Sequence, residues 1–300
     1  MILVRRVLRR PLPAWVDCAV WLLTGWLAGL SGTVAVAVVE RTLEVGSGLQ
    51  ALLNVLPNLI GTGVVVLLGL AATSENPRNV LALRKPPWAA IPWIVLSSFC
   101  LALLTAELNT WIDELLPMPP QVQDLFRRVL EYHNPAQLAG VVLFLILVAP
   151  ATEELMFRGL FLHRLEAVYG RRRAILGSAL CFGIFHILPW QAVGAALVGI
   201  YLGWLVARTR SLFTSITAHA VFNLVPVVAT SLEDRLPMLR GLGVSGDAQR
   251  FHIPPPVLLG SVLALLAGIL GTLRSVRIHA DPPSPNSSPE SPPSLPESHT

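Results

Sequence analysis

Charge is scarce in this chain: only 13% of its 300 residues are charged, one of the 22 basic residues is a lysine, and cysteine occurs three times. So little charge, beside 53% hydrophobic residues and a mean hydropathy of +0.63, excludes an ordinary soluble domain. Cys18, Cys100 and Cys181 all stand in apolar stretches without CxxC spacing, which argues against a disulfide framework or a thiolate metal site and leaves them as small core residues. The net charge of +4 is split into short basic clusters between apolar runs, and the motifs of nucleic-acid binders are missing, so no nucleic acid is expected as a partner. An internal repeat, or an inverted pair of interrupted helices of the kind that marks carriers, is also lacking.

What the chain does have is a series of apolar windows near 20 residues long, at about 14–39, 51–73, 88–106, 136–163, 174–188, 190–207, 212–231 and 255–273. They predict an all-α, polytopic transmembrane bundle of about eight helices. The count becomes seven if the fifth and sixth windows, divided only by Pro189, form one broken or re-entrant unit. With the N-terminus inside, the inner segments carry 15 basic residues and the outer ones six, leaving Arg158 within a helix, so both termini are expected to be cytoplasmic. The first apolar run follows Arg5, Arg6, Arg9 and Arg10 and is longer than a cleavable signal core, which reads as a retained signal anchor. Residues 1–13 are expected as a basic cytoplasmic segment, 14–279 as the transmembrane domain with a motif core at 136–231, and 280–300 as a disordered Pro/Ser-rich tail. Between Gln121 and His133, apolar positions at Val122, Leu125, Phe126, Val129 and Leu130 predict an amphipathic helix lying at the membrane interface.

Into this apolar background three polar groups are set. Glu153, Glu154 and Arg158 fall in one window, His186 in the next, and His219 with Asn223 in the seventh. A charge at mid-membrane costs about 2.5–3.5 kcal/mol even on insertion scales, so charges there mark a pathway or a reaction site. On a helix, Glu154 and Arg158 share a face four residues apart, acid before base, in the favourable order for an ion pair. Glu153 points about 100° away and is free to face another group. That division gives Glu154 and Arg158 a supporting role and Glu153 the chemistry. Pro150 upstream is expected to open space beside the acids. His219 and Asn223, also four apart, project from one face. A carboxylate beside an imidazole can deprotonate water, while a second imidazole and an amide can donate to the oxyanion formed on a scissile carbonyl. These groups suit peptide-bond hydrolysis, and the chain carries no Gly-x-Ser-x-Gly elbow to suggest a serine nucleophile.

Glu153-Glu154-x-x-x-Arg158, Phe182-x-x-x-His186 and His219-x-x-x-Asn223, each in its own apolar span and in that order, resemble the motifs of the CAAX-processing and bacteriocin-immunity (CPBP, or Abi) family of intramembrane endopeptidases. The resemblance implies that Glu153 is the catalytic glutamate, His186 its partner in activating water, and His219 with Asn223 the oxyanion pair. Glu154, Arg158 and Phe182 complete the motifs as supporting residues. It implies a membrane-associated protein or peptide substrate, lipidated or not, met within the bilayer. No cofactor is required on this reading; the alternative is a zinc-type divalent metal held by Glu153, His186 and His219, a ligand set that zinc accepts. A proton- or ion-coupled transporter and a non-catalytic membrane scaffold are the readings from other classes. The near-absence of lysine suggests a GC-rich coding bias and, with it, a bacterial inner membrane.

Overall fold

The computed structural model describes residues 13–42, 53, 55–130, 132–233, 235–236, 239, 242 and 252–278. The expected basic N-terminal segment before Pro13 and the expected tail at 280–300 lie outside them. Among the described residues the chain is helical, with no strand. The elements that matter are α1 (Ala14–Thr42), α2 (Leu56–Ala72), α3 (Pro77–Val80), α4 (Ile91–Leu115), α5 (Pro120–Leu130), α6 (Pro135–Tyr169), α7 (Arg171–Phe185), α8 (Pro189–Thr209), α9 (Leu212–Leu232) and α10 (Pro255–Ile278).

Each of the eight apolar windows holds a helix, and the molecule is a polytopic helical bundle. Six helices among the described residues are long and apolar enough to cross a membrane: α1, α4 with its leading turn (Trp88–Leu115), α6, α8, α9 and α10. The remaining two are shorter, α2 with 17 residues and α7 with 15. At about 1.5 Å per residue α7 reaches some 22 Å, less than a hydrocarbon core of about 30 Å. It ends within the bundle, at a tight turn of His186, Ile187 and Leu188, and Pro189 then opens α8. The expected amphipathic segment is occupied by α5.

Local sequence sets the boundaries. Proline stands in the first turn of α2, α4, α6 and α8, where its missing N–H is not needed. Asn134 caps α6 by accepting a hydrogen bond from the Gln137 N–H at 3.0 Å. Gly170, at φ 76°, ends α6 and turns the chain directly into α7. Outward positions carry leucines such as Leu27, Leu67, Leu176 and Leu263, each more than half exposed, as a lipid-facing surface requires. Hydroxyls on α1 donate to carbonyls four residues back, Thr24 to Val20 and Ser31 to Leu27, so neither donor is left facing lipid.

α6 is the axis of the bundle, in contact with α2, α7, α9 and, less extensively, α1 and α8. α1 packs along α2, α7 along α8, and α4 along both α9 and α10. The α1–α2 crossing is close because glycines meet there: a Cβ on Gly61 would lie 2.7 Å from the Gly25 carbonyl oxygen and 3.3 Å from the Gly29 backbone. On the far side, Glu107 of α4 accepts from the Ile253 N–H at 2.8 Å and pairs with His252, also at 2.8 Å, which fastens the start of α10 to the end of α4. The main core gathers Phe157, Phe161, Leu160 and Leu162 of α6 with Phe182 of α7, Val206 of α8 and Leu212 of α9.

One feature of α6 has no counterpart in its periodicity. The helix departs from α geometry twice, into π-helix at Leu143–Val148 and Leu155–Phe161, and the α segment between them is Ala149–Glu154, which carries both acids. Pro150 cannot donate to a carbonyl four residues back, and the first widened stretch stands directly ahead of it. Widened turns inside α-helices gather at functional sites.

Candidate active site

The two acids go separate ways. Glu154 is fully buried and its Oε1 accepts from Arg158 Nη1 at 2.9 Å, a pair with no side-chain exposure on either partner. Arg158 donates its other terminal nitrogen to the Gly199 carbonyl on α8 at 3.2 Å, and its guanidinium lies 4.3 Å from the centroid of the Phe182 ring. A cation so enclosed is retained only if charge, carbonyl and ring face all compensate its lost hydration. Glu154 Oε1 also meets His219 Nδ1 at 3.0 Å. Because this carboxylate is ion-paired, the shared proton sits on Nδ1, and His219 Nε2 is directed away from Glu154.

Glu153 turns elsewhere. Its Oε2 stands 3.9 Å from His219 Nε2, too far for a hydrogen bond and close enough for one water to touch both. Its Oε1 is 3.4 Å from the amide nitrogen of Asn58 on α2, and Asn58 Oδ1 is 2.7 Å from the hydroxyl of Thr152, the residue next to Glu153. His219 thus lies between two neighbouring carboxylates, one bonded to Arg158 and the other 3.9 Å from its own Nε2.

Phe182 arranges the aromatic side. Its ring is edge-on to both imidazoles, with centroids 4.7 Å from His186 and 5.6 Å from His219. His186 belongs to the turn after α7, one residue past the helix, where the window ending at 188 had put it in a span. The reason is Ile187, at φ 61°, a conformation strained for a β-branched residue. The Leu188 N–H closes this turn onto the His186 carbonyl. His186 Nδ1 is 2.8 Å from the Phe182 carbonyl, an acceptor only, so Nδ1 carries the hydrogen and neutral His186 presents a basic Nε2. The amide of Asn223 donates at 2.9 Å to the carbonyl of Leu145, in the first π stretch of α6. Thr214, Ser215 and Thr217 of α9 donate to carbonyls of their own chain.

A cavity of about 460 Å³ lies beside this group, between α1, α2 and the α7–α8 turn. Gly29, Leu30, Pro57, Asn58, Gly61 and Ile187 are among its walls. It is nearly all apolar, and Asn58 joins it to Glu153.

The chain carries an Rce1-like segment. Residues 135–225 match the family model of type II CAAX prenyl endopeptidases, Rce1-like, a stretch from the first residue of α6 into α9 that contains every motif residue. The resemblance drawn from the three spaced motifs is therefore shown, over the residues that carry it. Comparison with curated proteins and with solved structures gave no match. The Rce1-like segment, set among apolar helices long enough to cross a bilayer, supports an integral membrane protein with intramembrane endopeptidase activity toward a membrane-associated peptide.

Asn58 and Thr152 escaped the sequence reading. Asn58 lies on α2, outside the Rce1-like segment, and a lone amide in an apolar helix has many structural explanations. Its sequence signal was modest: a carboxamide next to Pro57 in an otherwise apolar run.

Proposed function

We propose that this protein is a glutamate-type intramembrane endopeptidase. Glu153 takes a proton from a water lying between it and the imidazoles, and the water oxygen attacks the carbonyl carbon of a peptide bond presented from the apolar cavity. His186, through its basic Nε2, helps to hold and polarise that water. The negative charge that develops on the carbonyl oxygen is met by His219, whose Nε2 donates when the ring is doubly protonated, and by the second amide hydrogen of Asn223. The proton held by Glu153 then passes to the departing amine nitrogen as the C–N bond breaks. Glu154 and Arg158 keep His219 in register, as an orienting carboxylate does for a catalytic imidazole. The observation that carries this reading is the 3.9 Å approach of Glu153 to His219 Nε2 in a site where Glu154 already occupies Nδ1.

A zinc-dependent version of the same hydrolysis fits less well. Among the described residues no three His, Cys, Asp or Glu side chains are grouped so as to hold a metal ion. The substrate class we assign is a membrane-associated protein or peptide whose apolar part, a lipid or a hydrophobic side chain, occupies the cavity. The bilayer is a bacterial inner membrane with both termini cytoplasmic, a topology that reporter fusions at either end would check.

The deciding experiment compares peptide termini in membranes from cells making wild-type, Glu153→Gln and His186→Ala protein at matched levels. New termini present with wild type should vanish with both variants. Their persistence with Glu153→Gln would refute the assignment. Cleavage of a synthetic peptide ending in S-farnesylcysteine plus three residues, against its unmodified twin, then tells whether the apolar part is a lipid.

A further inference from the structure

Glu153 Oε1 lies 3.4 Å from the amide nitrogen of Asn58 on a neighbouring helix, and that amide is itself oriented. If Asn58 were turned over, its carbonyl oxygen would face the Glu153 carboxylate, two acceptors with no proton between them. The Thr152 hydroxyl, 2.7 Å from Oδ1, resolves the orientation by donating there, which points the NH₂ group at Glu153. Thr152 also has the Val148 carbonyl at 2.8 Å and the Ala149 carbonyl at 3.2 Å in reach, so it orients the amide by giving its single proton to Asn58 rather than to its own helix. The glycine contact and Pro57 hold the start of α2 against α1, and α2 packs in turn on α6, which brings the amide to its place.

We propose that Asn58 is a positioning residue for Glu153, oriented in turn by Thr152, so that a helix outside the Rce1-like segment completes the site. The inference rests on the reading of Glu153 as the base. Asn58 restrains Oε1, which leaves Oε2 directed at His219 Nε2, 3.9 Å away, where a single water reaches both. It also stands in the cavity wall, where it links the apolar cavity to the acid.

The test follows the formation rate of those termini that Glu153→Gln abolishes, in cells making Asn58→Ala, Thr152→Val, Thr152→Ser and the Asn58→Ala/Thr152→Val double variant at matched levels. Insertion and folding are checked by monodispersity and thermal unfolding in detergent. Misplacing a reacting group by an ångström costs up to about a hundredfold, so Asn58→Ala and Thr152→Val should each slow cleavage about tenfold or more. Thr152→Ser, which keeps the hydroxyl, should stay within about twofold of wild type, and the double variant should be no slower than Asn58→Ala, since the two residues act as one chain. A role limited to packing would not distinguish Val from Ser; because the hydroxyl can also donate to the Val148 carbonyl, the slower cleavage of Thr152→Val must come with unchanged thermal unfolding, and a matching loss of stability would overturn the proposal. If Asn58→Ala fails to fold, Asn58→Ser with Thr152→Val carries the comparison. Wild-type rates in Asn58→Ala, or effects that multiply in the double variant, overturn the proposal while leaving Glu153 as the base. Termini that persist with Glu153→Gln overturn both.

Discussion

Replacing Arg158 with methionine keeps much of its bulk and removes its charge, leaving the Glu154 carboxylate in a site where neither side chain of the pair has any exposure. Four contacts disappear: the 2.9 Å ion pair, the 3.2 Å bond to the Gly199 carbonyl and the ring contacts 4.3 Å from the Phe182 centroid and 5.9 Å from the Phe157 centroid. The cation–π contact is worth about 2 kcal/mol when desolvated and the charged hydrogen bond about 1.5–3 kcal/mol, but stranding a buried partner charge costs about 3–5 kcal/mol. The stranded carboxylate is the largest effect, so a second substitution that neutralises it should recover most of the loss. Arg158→Met is therefore expected to be destabilised by about 3–5 kcal/mol, and Arg158→Met/Glu154→Gln by clearly less, although it removes more native groups. The carboxamide oxygen introduced by Glu154→Gln would still accept from His219 Nδ1, so the repair does not discard the histidine's orientation. Equilibrium unfolding in mixed detergent micelles, followed by fluorescence of the eight tryptophans, measures both variants. If the double variant is as unstable as the single one, the energy resides in packing on Phe182 and Gly199, and the account of a charge-compensated centre fails.

His252 bridges Glu107 at 2.8 Å and Glu114 at 3.1 Å, and its hydrogen bonds to Glu107 and then Glu114 hold the imidazole above the usual histidine range. With the folded value raised, this clamp contributes fully at pH below the unfolded value of about 6.5 and is lost as pH rises through the folded one; melting temperatures of wild type minus His252→Gln should shrink from pH 6 to 9, and a constant difference would contradict the clamp. Gly61→Leu should part α1 from α2, because its Cβ would already lie 2.7 Å from the Gly25 carbonyl oxygen, whereas Gly63→Leu, whose Cβ meets nothing within 4 Å, should be silent. Equal melting temperatures for these two variants would remove the glycine contact as the reason for the close crossing.

The helices were legible because burial in lipid leaves a long apolar record, and α1, α6, α8, α9 and α10 fall on their windows to within a few residues. α7 was legible only in outline. Its apolar window runs on to Leu188, but the chain turns at His186, where Ile187 takes a positive φ that composition cannot reveal. The π stretches of α6 left no periodic trace either: they arise from Pro150 and from packing against α2, α7 and α9, which belong to the folded molecule. The Glu154–Arg158 pair is local, four residues apart on one helix, and could be read from spacing. Asn58 and Glu153 are 95 residues apart, and only the docking of α2 on α6 makes them neighbours.

The placement of His219 ties these local and distant features together. Glu153 and Glu154 are adjacent in sequence and carry the same group, yet a turn of about 100° sends one to a cation and the other to an amide. A cation satisfies Glu154 with charge, which makes it a fixed acceptor for His219 Nδ1. An amide contacts Glu153 without supplying a charge, as the proposed role of Glu153 as base requires. The same imidazole touches the first and faces the second across 3.9 Å. Had Arg158 stood one residue earlier, it would have been four residues from Glu153 and three from Glu154, and an ion pair at Glu153 would have held the base of the proposed mechanism as a salt. The register of one arginine on α6 thus decides which glutamate is left for the base of the proposed mechanism.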